Sequence, residues 1–204
     1  MKKQGLRLGL AGAASLIVMA TSAFGYDYRA SYVNVVSSAG NGCLREVTAR
    51  WTDGGRSILL TLDNMAVLAG AGADLADSLA ACEIKLDVGL PNGVKYTVKS
   101  FETLAHLNIE RGGSASLQVR YGFPGTRQGL ASLSFQGGPE RDSLLKRDFS
   151  YLNQYFSSCY SHRPVTVDVR LASKTNFEQS AIADAELLTR GHTIKLPLNI
   201  VECE

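Results

Sequence analysis

CEIKLDVGLPNGVKYTVKSF, residues 82–101, is the stretch whose reading decides the fold. Cys82, Ile84, Leu86, Val88 and Leu90 alternate with Glu83, Lys85, Asp87 and Gly89, the period-two signature of a strand with one buried face. Val94, Tyr96 and Val98 continue the pattern beyond Pro91-Asn92-Gly93. Read as a β-hairpin, the stretch must set the even-numbered apolar residues of both arms opposite one another, which requires a connection of odd length. That excludes a two-residue Asn-Gly turn. A three-residue loop fits, with Pro91 at the first turn position, Asn92 next and Gly93 in the left-handed conformation. Leu90 then faces Val94, and Val88 faces Tyr96.

On the N-terminal side, a short strand over Tyr32–Val36 is broken by Gly40-Asn41-Gly42. Glu46–Thr52 and Ser57–Asp63 flank the turn signal Asp53-Gly54-Gly55 and read as a second hairpin. Residues 66–81 are rich in Ala and Gly, and read as a covering loop with one short helix capped by Asp74 or Asp77. On the C-terminal side, the alternation changes phase near Lys99–Phe101, as a β-bulge would make it do. A strand over Phe101–Ile109 turns at Gly112-Gly113 and returns through Leu117, Val119 and Tyr121 to Phe123-Pro124-Gly125. Leu133 and Phe135 mark another strand, stopped by Gly137-Gly138-Pro139, and the charged run Glu140–Asp148 reads as an exposed loop. Val165, Val167, Val169 and Leu171 form a clean strand, and the last one carries Ile194, Leu196, Leu198 and Ile200. Pro197 has no amide hydrogen to donate, so it belongs at a sheet edge or a bulge. About nine or ten short strands with almost no helical periodicity predict an all-β antiparallel fold, a β-sandwich rather than a barrel.

The chain of 204 residues opens with Lys2, Lys3 and Arg7 ahead of the apolar run Leu8–Ala20 and the small-residue site Ala23-Phe24-Gly25, the pattern of a secretory signal peptide over residues 1–25. Residues 26–204 are expected to form a single all-β domain. Cleavage removes three of the 21 basic residues and none of the 19 acidic ones, turning the formal charge of +2 into −1. That leaves no electrostatic footprint for nucleic acid and no membrane anchor after signal cleavage. Export to the periplasm or the exterior suits four cysteines. Cys43, Cys82, Cys159 and Cys203 lack the C-x-x-C spacing of zinc sites, which favours two disulfides over metal. Three pairings are open, and Cys43 with Cys82 and Cys159 with Cys203 are the expected ones.

No catalytic constellation, cofactor motif or metal-ligand spacing stands out. His106, His162 and His192 lie on separate segments without H-x-H or H-E-x-x-H spacing. Ser161-His162 are adjacent, and adjacent residues on an extended chain point to opposite faces. Asp63, Asp87 and Asp168 alternate with apolar neighbours and read as a solvated strand face, although two of them could converge at glycosidase spacing. The aromatic cluster Phe149, Tyr151, Tyr155, Phe156 and Tyr160 is the candidate interaction surface, with Tyr151, Tyr155 and Tyr160 able to stack on sugar rings or pack on a protein.

Gly42-Cys43, the C-x-I-x-L-x-V-x-L-P-x-G run over residues 82–93, Ser158-Cys159 ahead of a V-x-V-x-V-x-L strand, and a final strand ending in Cys203 resemble the secreted family named domain of unknown function 4360. The chain departs from that pattern at Leu44, where a proline commonly follows the first cysteine, and at Leu198, where a tryptophan often precedes the last. The resemblance implies a small exported β-rich protein and no mechanism. The disulfide-stapled all-β reading, with no recognisable reactive constellation, points to a non-catalytic role, binding or structural; the ligand is unknown, with carbohydrate and another exported protein as the candidates. A secreted hydrolase acting on carbohydrate, and an inhibitor of an exported protein, are the alternatives.

Overall fold

The computed structural model describes residues 32–150, 155–160, 162–175, 182–187 and 192–204; the expected signal peptide and Tyr151 lie outside them. The alternation in residues 82–88 buries what it predicts: Cys82, Ile84, Leu86 and Val88 are all inaccessible to solvent. Each of the three aliphatic side chains contributes about 2 kcal/mol by leaving water. Their strand, β5 (Leu79–Gly89), is central. It pairs with β1 (Tyr32–Ala39) on one side and β9 (His162–Thr175) on the other, and both ladders run to Gly89, which faces Tyr32 and His162.

No edge of β5 is left for the second arm of the expected hairpin. β6 (Val94–Val98) pairs instead with β11 (Thr193–Glu202), Val98 opposite Leu198 and Tyr96 opposite Ile200. Leu90 does not face Val94, nor Val88 Tyr96, and the hairpin reading is corrected to a crossover between layers. The parity survives because both arms bury their even-numbered residues in one core. Gly93 takes the left-handed conformation (φ 83°) expected of it.

Arg163 holds the crossover. It falls in the core phase of β9, with Val165, Val167 and Val169, and only 1% of it is exposed. Nε donates to Ser158 O (2.9 Å), Nη1 to Leu90 O (3.0 Å), and Nη2 to Pro91 O (3.2 Å) and Val94 O (2.9 Å). Burial lowers the guanidinium pKa from its ordinary value, and the carbonyl oxygens supply the compensation a buried cation requires.

β2 (Thr48–Thr52) and β3 (Ser57–Thr61) form the hairpin read from the sequence around Asp53-Gly54-Gly55. Residues 66–81 are more than a covering loop: β4 (Ala66–Ala69) and a 3₁₀ turn at Leu75–Ser78 precede the start of β5. Asp74 stands at the N-cap of that turn without a side-chain cap bond. β7 (Ser100–Gly122) and β8 (Gly129–Asp148) are continuous strands of 23 and 20 residues, so the turn at Gly112-Gly113, the stop at Gly137-Gly138-Pro139 and the loop over Glu140–Asp148 are all corrected. These glycines mark a shared bend, where the ladder register slips between Ile109 and Ser114 and Gly112 has φ 95°. The bend carries the long hairpin from one layer to the other. The first half of β7 meets β10 (Ala183–Leu187), which pairs in turn with β4, and the second half meets β9.

β8 pairs with β7 alone among the described residues. Pro139 and its charged side chains suit such an edge, because they discourage strand addition. The bulge expected near Lys99 is present: β11 pairs Leu198 with Val98 and Lys195 with Glu102, one residue out of step, and Lys99 N donates to Pro197 O (2.8 Å). Eleven strands result among the described residues, forming an antiparallel sheet folded over one core and nearly closed. Cys43–Cys82 and Cys159–Cys203 are bonded as expected, closing separations of 39 and 44 residues.

Candidate functional site

Alternation in five neighbouring strand segments builds one largely polar sheet face, on which Leu79 and Leu130 are also exposed. The core-facing residues of β1, β5, β9, the second half of β7 and the first half of β8 are largely buried, and their alternate neighbours project outward. Register places those neighbours in rows across the strands. Tyr32, Gly89 and His162 form one row, and Asn34, Asp87 and Pro164 the next. Farther along, Glu83, Asp168 and Arg120 share a row, followed by Ala81, Arg170 and Gln118.

At the corner of this face three side chains from three strands meet. Tyr32 Oη donates to Asp87 Oδ2 (3.0 Å) and lies 2.9 Å from His162 Nδ1, which is itself 3.4 Å from Asp87 Oδ2. The Tyr32 ring lies over Gly89, and a Cβ at that position would collide with the ring carbons. Burial, then the hydrogen bond to Asp87 and its negative charge, raise the phenol pKa. In the middle of the face Asp168 accepts two bonds from Arg170, from Nε at 3.0 Å and Nη2 at 2.9 Å. That bond first, then the charges of Asp168 and Glu83, raises the Arg170 pKa. Tyr32, Asp87 and His162, and Asp168 with Arg170, are thus held by one another.

The carboxylates singled out in the sequence do not converge. Asp63 follows β3, away from this face, and its Oδ1 is buried without a hydrogen-bond partner among the described residues. Asp87 and Asp168 share the face, but Asp168 stands opposite Glu83, four residues from Asp87. That offset is about 13 Å along the strands at ~3.3 Å per residue, beyond the roughly 5–9.5 Å of glycosidase pairs. Their solvation is also partial, at 28% side-chain exposure for Asp87 and 15% for Asp168.

The histidines remain apart. His162 belongs to the corner. His106 lies on the outer side of β7 between Asp142 (Nδ1–Oδ1 2.8 Å) and Glu140 (Nε2–Oε1 3.3 Å), and His192 is 4.0 Å from Glu186. Among the described residues no three His, Cys, Asp or Glu side chains are arranged to hold a metal ion.

Of the expected tyrosine surface, Tyr155 is half-buried against the core and Tyr160 is 80% exposed, two residues ahead of His162. Phe149 is a core residue, stacked edge-on against Tyr121 and Phe101. Sequence reasoning missed Tyr32 and Arg163. Arg163 had a signal, a charge standing in the apolar phase of its strand; Tyr32 had none, because its landing place is a glycine 57 positions away.

A family model described as a domain of unknown function (DUF4360) matches residues 30–203. An uncharacterized secreted protein of Arthroderma benhamiae is 23% identical over 142 residues, covering 68% of this chain and 58% of that protein, so the match spans less than two thirds of the relative. Among solved structures, TmCBM61 in complex with β-1,4-galactotriose aligns with a TM-score of 0.28 and 10% identity over 87% of this chain and 91% of that one. The family 29 carbohydrate binding module CBM29_1 from Piromyces equi aligns at 0.23 and 14% identity, over 76% and 91%. Likenesses this loose carry no argument about a ligand. Two disulfides, with no free cysteine among the described residues, belong to a protein matured in an oxidising, extracellular setting. No helix of the described residues is long and apolar enough to cross a membrane.

Proposed function

We propose that this chain, which belongs to the DUF4360 family, is an exported binding domain whose ligand docks on the outer face of β1, β5, β9 and the adjoining halves of β7 and β8. In this reading residues 1–25 are the export signal. The observation that carries it is the mutual fixing of the polar side chains on that face, Tyr32 with Asp87 and His162, and Asp168 with Arg170. A sheet surface that only needs solubility is served by mobile, separately hydrated side chains. Groups already held in place lose less freedom when a ligand arrives, so such a face is pre-organised for binding. Tyr160 lies at the same end of β9 as the corner and extends the candidate surface there.

The test is a screen of the oxidised mature chain against arrayed glycans and exported proteins, repeated with the double variant Asp168→Ala, Arg170→Ala. Ligand affinity should fall at least tenfold in the double variant while the melting temperature moves by only a few degrees. A ligand that binds the wild type, the double variant and Tyr32→Ala equally well would refute the face.

A further inference from the structure

Resting on that docking face, we infer that the Tyr32 corner is the subsite for one pyranose ring of a neutral polysaccharide. The ring of Tyr32 is laid on Gly89, where any other residue would lift it off. Its hydroxyl is pinned at two points, by Asp87 Oδ2 and His162 Nδ1. One aromatic face thus lies against the sheet at Gly89 and the side chain as a whole is partly exposed, a fixed apolar plate about the size of a sugar ring. Around the plate stand short polar groups: Asn34 and Asp87 in the next row, and His162 in the same one, 75% exposed. A pyranose presents the matching surface, an apolar face of C–H bonds rimmed by hydroxyls that both donate and accept. Tyrosine suits such a contact because it combines an apolar body with a polar tip.

The surroundings also select among ligands. A protein hot spot needs an aromatic anchor set among apolar neighbours in a desolvated core, whereas the neighbours of Tyr32 in its own and the next row are Gly89, His162, Asn34, Asp87 and Pro164. Charge decides between neutral and acidic sugars. Among the described residues Asp87 is the carboxylate at the plate, the Arg163 charge reaches Tyr32 from the core side of the sheet, and Lys85, the next outward residue of β5, is drawn toward Glu83 (4.0 Å). A uronate or sulfate would meet Asp87 as a like charge, and a neutral sugar would meet it as a hydrogen-bond acceptor.

The experiment is affinity electrophoresis of the oxidised mature protein through gels containing galactomannan, xyloglucan, mixed-linkage β-glucan or hydroxyethylcellulose, with polygalacturonate and carboxymethylcellulose as the acidic arm. At least one neutral polymer should retard the wild type. Tyr32→Ala should weaken that retardation at least tenfold, and Tyr32→Phe, which keeps the plate and loses its two pins, only a few-fold. Hydroxyethylcellulose should retard more than carboxymethylcellulose at low salt if the cellulose backbone is bound at all. Retardation that survives Tyr32→Ala but is lost in the Asp168→Ala, Arg170→Ala variant overturns the subsite and leaves the docking face standing. Retardation by the acidic polymers alone, or by none while an exported protein binds the face, overturns the sugar and leaves the binding function. Retardation indifferent to both variants overturns the subsite and the face together.

Discussion

Arg163→Met tests the crossover that replaces the expected hairpin. The substitution keeps an apolar stem of similar reach and removes, among the described residues, hydrogen bonds to four main-chain carbonyls. Pro91 O and Ser158 O accept from a part-buried environment, and water can take over there. Leu90 O and Val94 O accept in a buried one, and water cannot. A buried acceptor left without a partner costs about 1–3 kcal/mol, so the two together cost roughly 2–6 kcal/mol, part of it offset because no guanidinium has to be desolvated. The expected net loss is about 3 kcal/mol, or ~6–12 °C in melting temperature for a domain of this size. Arg163→Lys keeps the charge but offers a single ammonium in place of a fork, and should fall between wild type and methionine. Urea unfolding with both disulfides intact measures the loss, and amide exchange should localise it to β6, which the clamp ties to β9. A methionine variant within 1 kcal/mol of wild type would refute the reasoning.

Two further predictions concern the frame. Cys43→Ser with Cys82→Ser opens a loop closed over a separation of 39 residues, for which chain entropy gives about 4 kcal/mol; calorimetry showing a loss below ~1 kcal/mol would contradict that account. Stability should also fall toward both ends of the pH range for opposite reasons. Glu102 is held below the usual carboxylate range, first by its hydrogen bond from Lys146 (2.6 Å) and then by charge, Lys195 included. Its contribution is therefore present above the ordinary glutamate pKa of about 4.3 and lost as pH falls through the lower folded value, so Glu102→Gln should flatten the acid limb of a Tm–pH curve. His106 is shifted up, first by its bond to Asp142, with Glu140 adding. Its contribution is complete below about pH 6.5 and lost as pH rises through the higher folded value, so His106→Gln should remove a decline that sets in above about pH 6.5.

The buried faces were legible in the sequence because alternation reports burial directly: Ile84, Leu86, Val167 and Ile194 all lie where their periodicity puts them. Partners were not, since one period-two pattern serves a strand in any pairing. Residues 82–98 showed that two arms bury the same parity, which is as true of strands facing each other across a core as of strands side by side. The glycine pairs in β7 and β8 misled for a related reason. Gly112-Gly113 and Gly137-Gly138 permit a sharp backbone path, and only the continuous ladder on either side makes it a bend rather than a reversal. β4 and β10 escaped notice because Ala66, Ala69, Ala183 and Ala185 are weak strand formers whose place is set by neighbours. The disulfides were the easiest long-range feature to anticipate, as four cysteines leave few pairings. The corner was the hardest, since nothing local to Tyr32 points to Gly89.

The corner and the frame are one construction. Tyr32, Asp87 and His162 arrive on β1, β5 and β9, so their hydrogen bonds are only as well placed as those three strand ends. Beyond β1, Cys43–Cys82 and the Asn41 side chain, bonded to Leu79 O and Ala81 N, fasten the chain to β5. Before β9, Cys159–Cys203 ties the segment entering His162 to the residue that follows β11, and Cys203 N donates to Gly93 O (2.8 Å). Arg163 follows His162 directly and points through the sheet to the opposite side, where its guanidinium grips the start of β6. The residue that fixes the core thereby fixes the backbone beneath the exposed imidazole. Loosening at 163 has to appear at 162, and for that reason stability and affinity should decline together in Arg163→Met, whereas Tyr32→Ala should separate them.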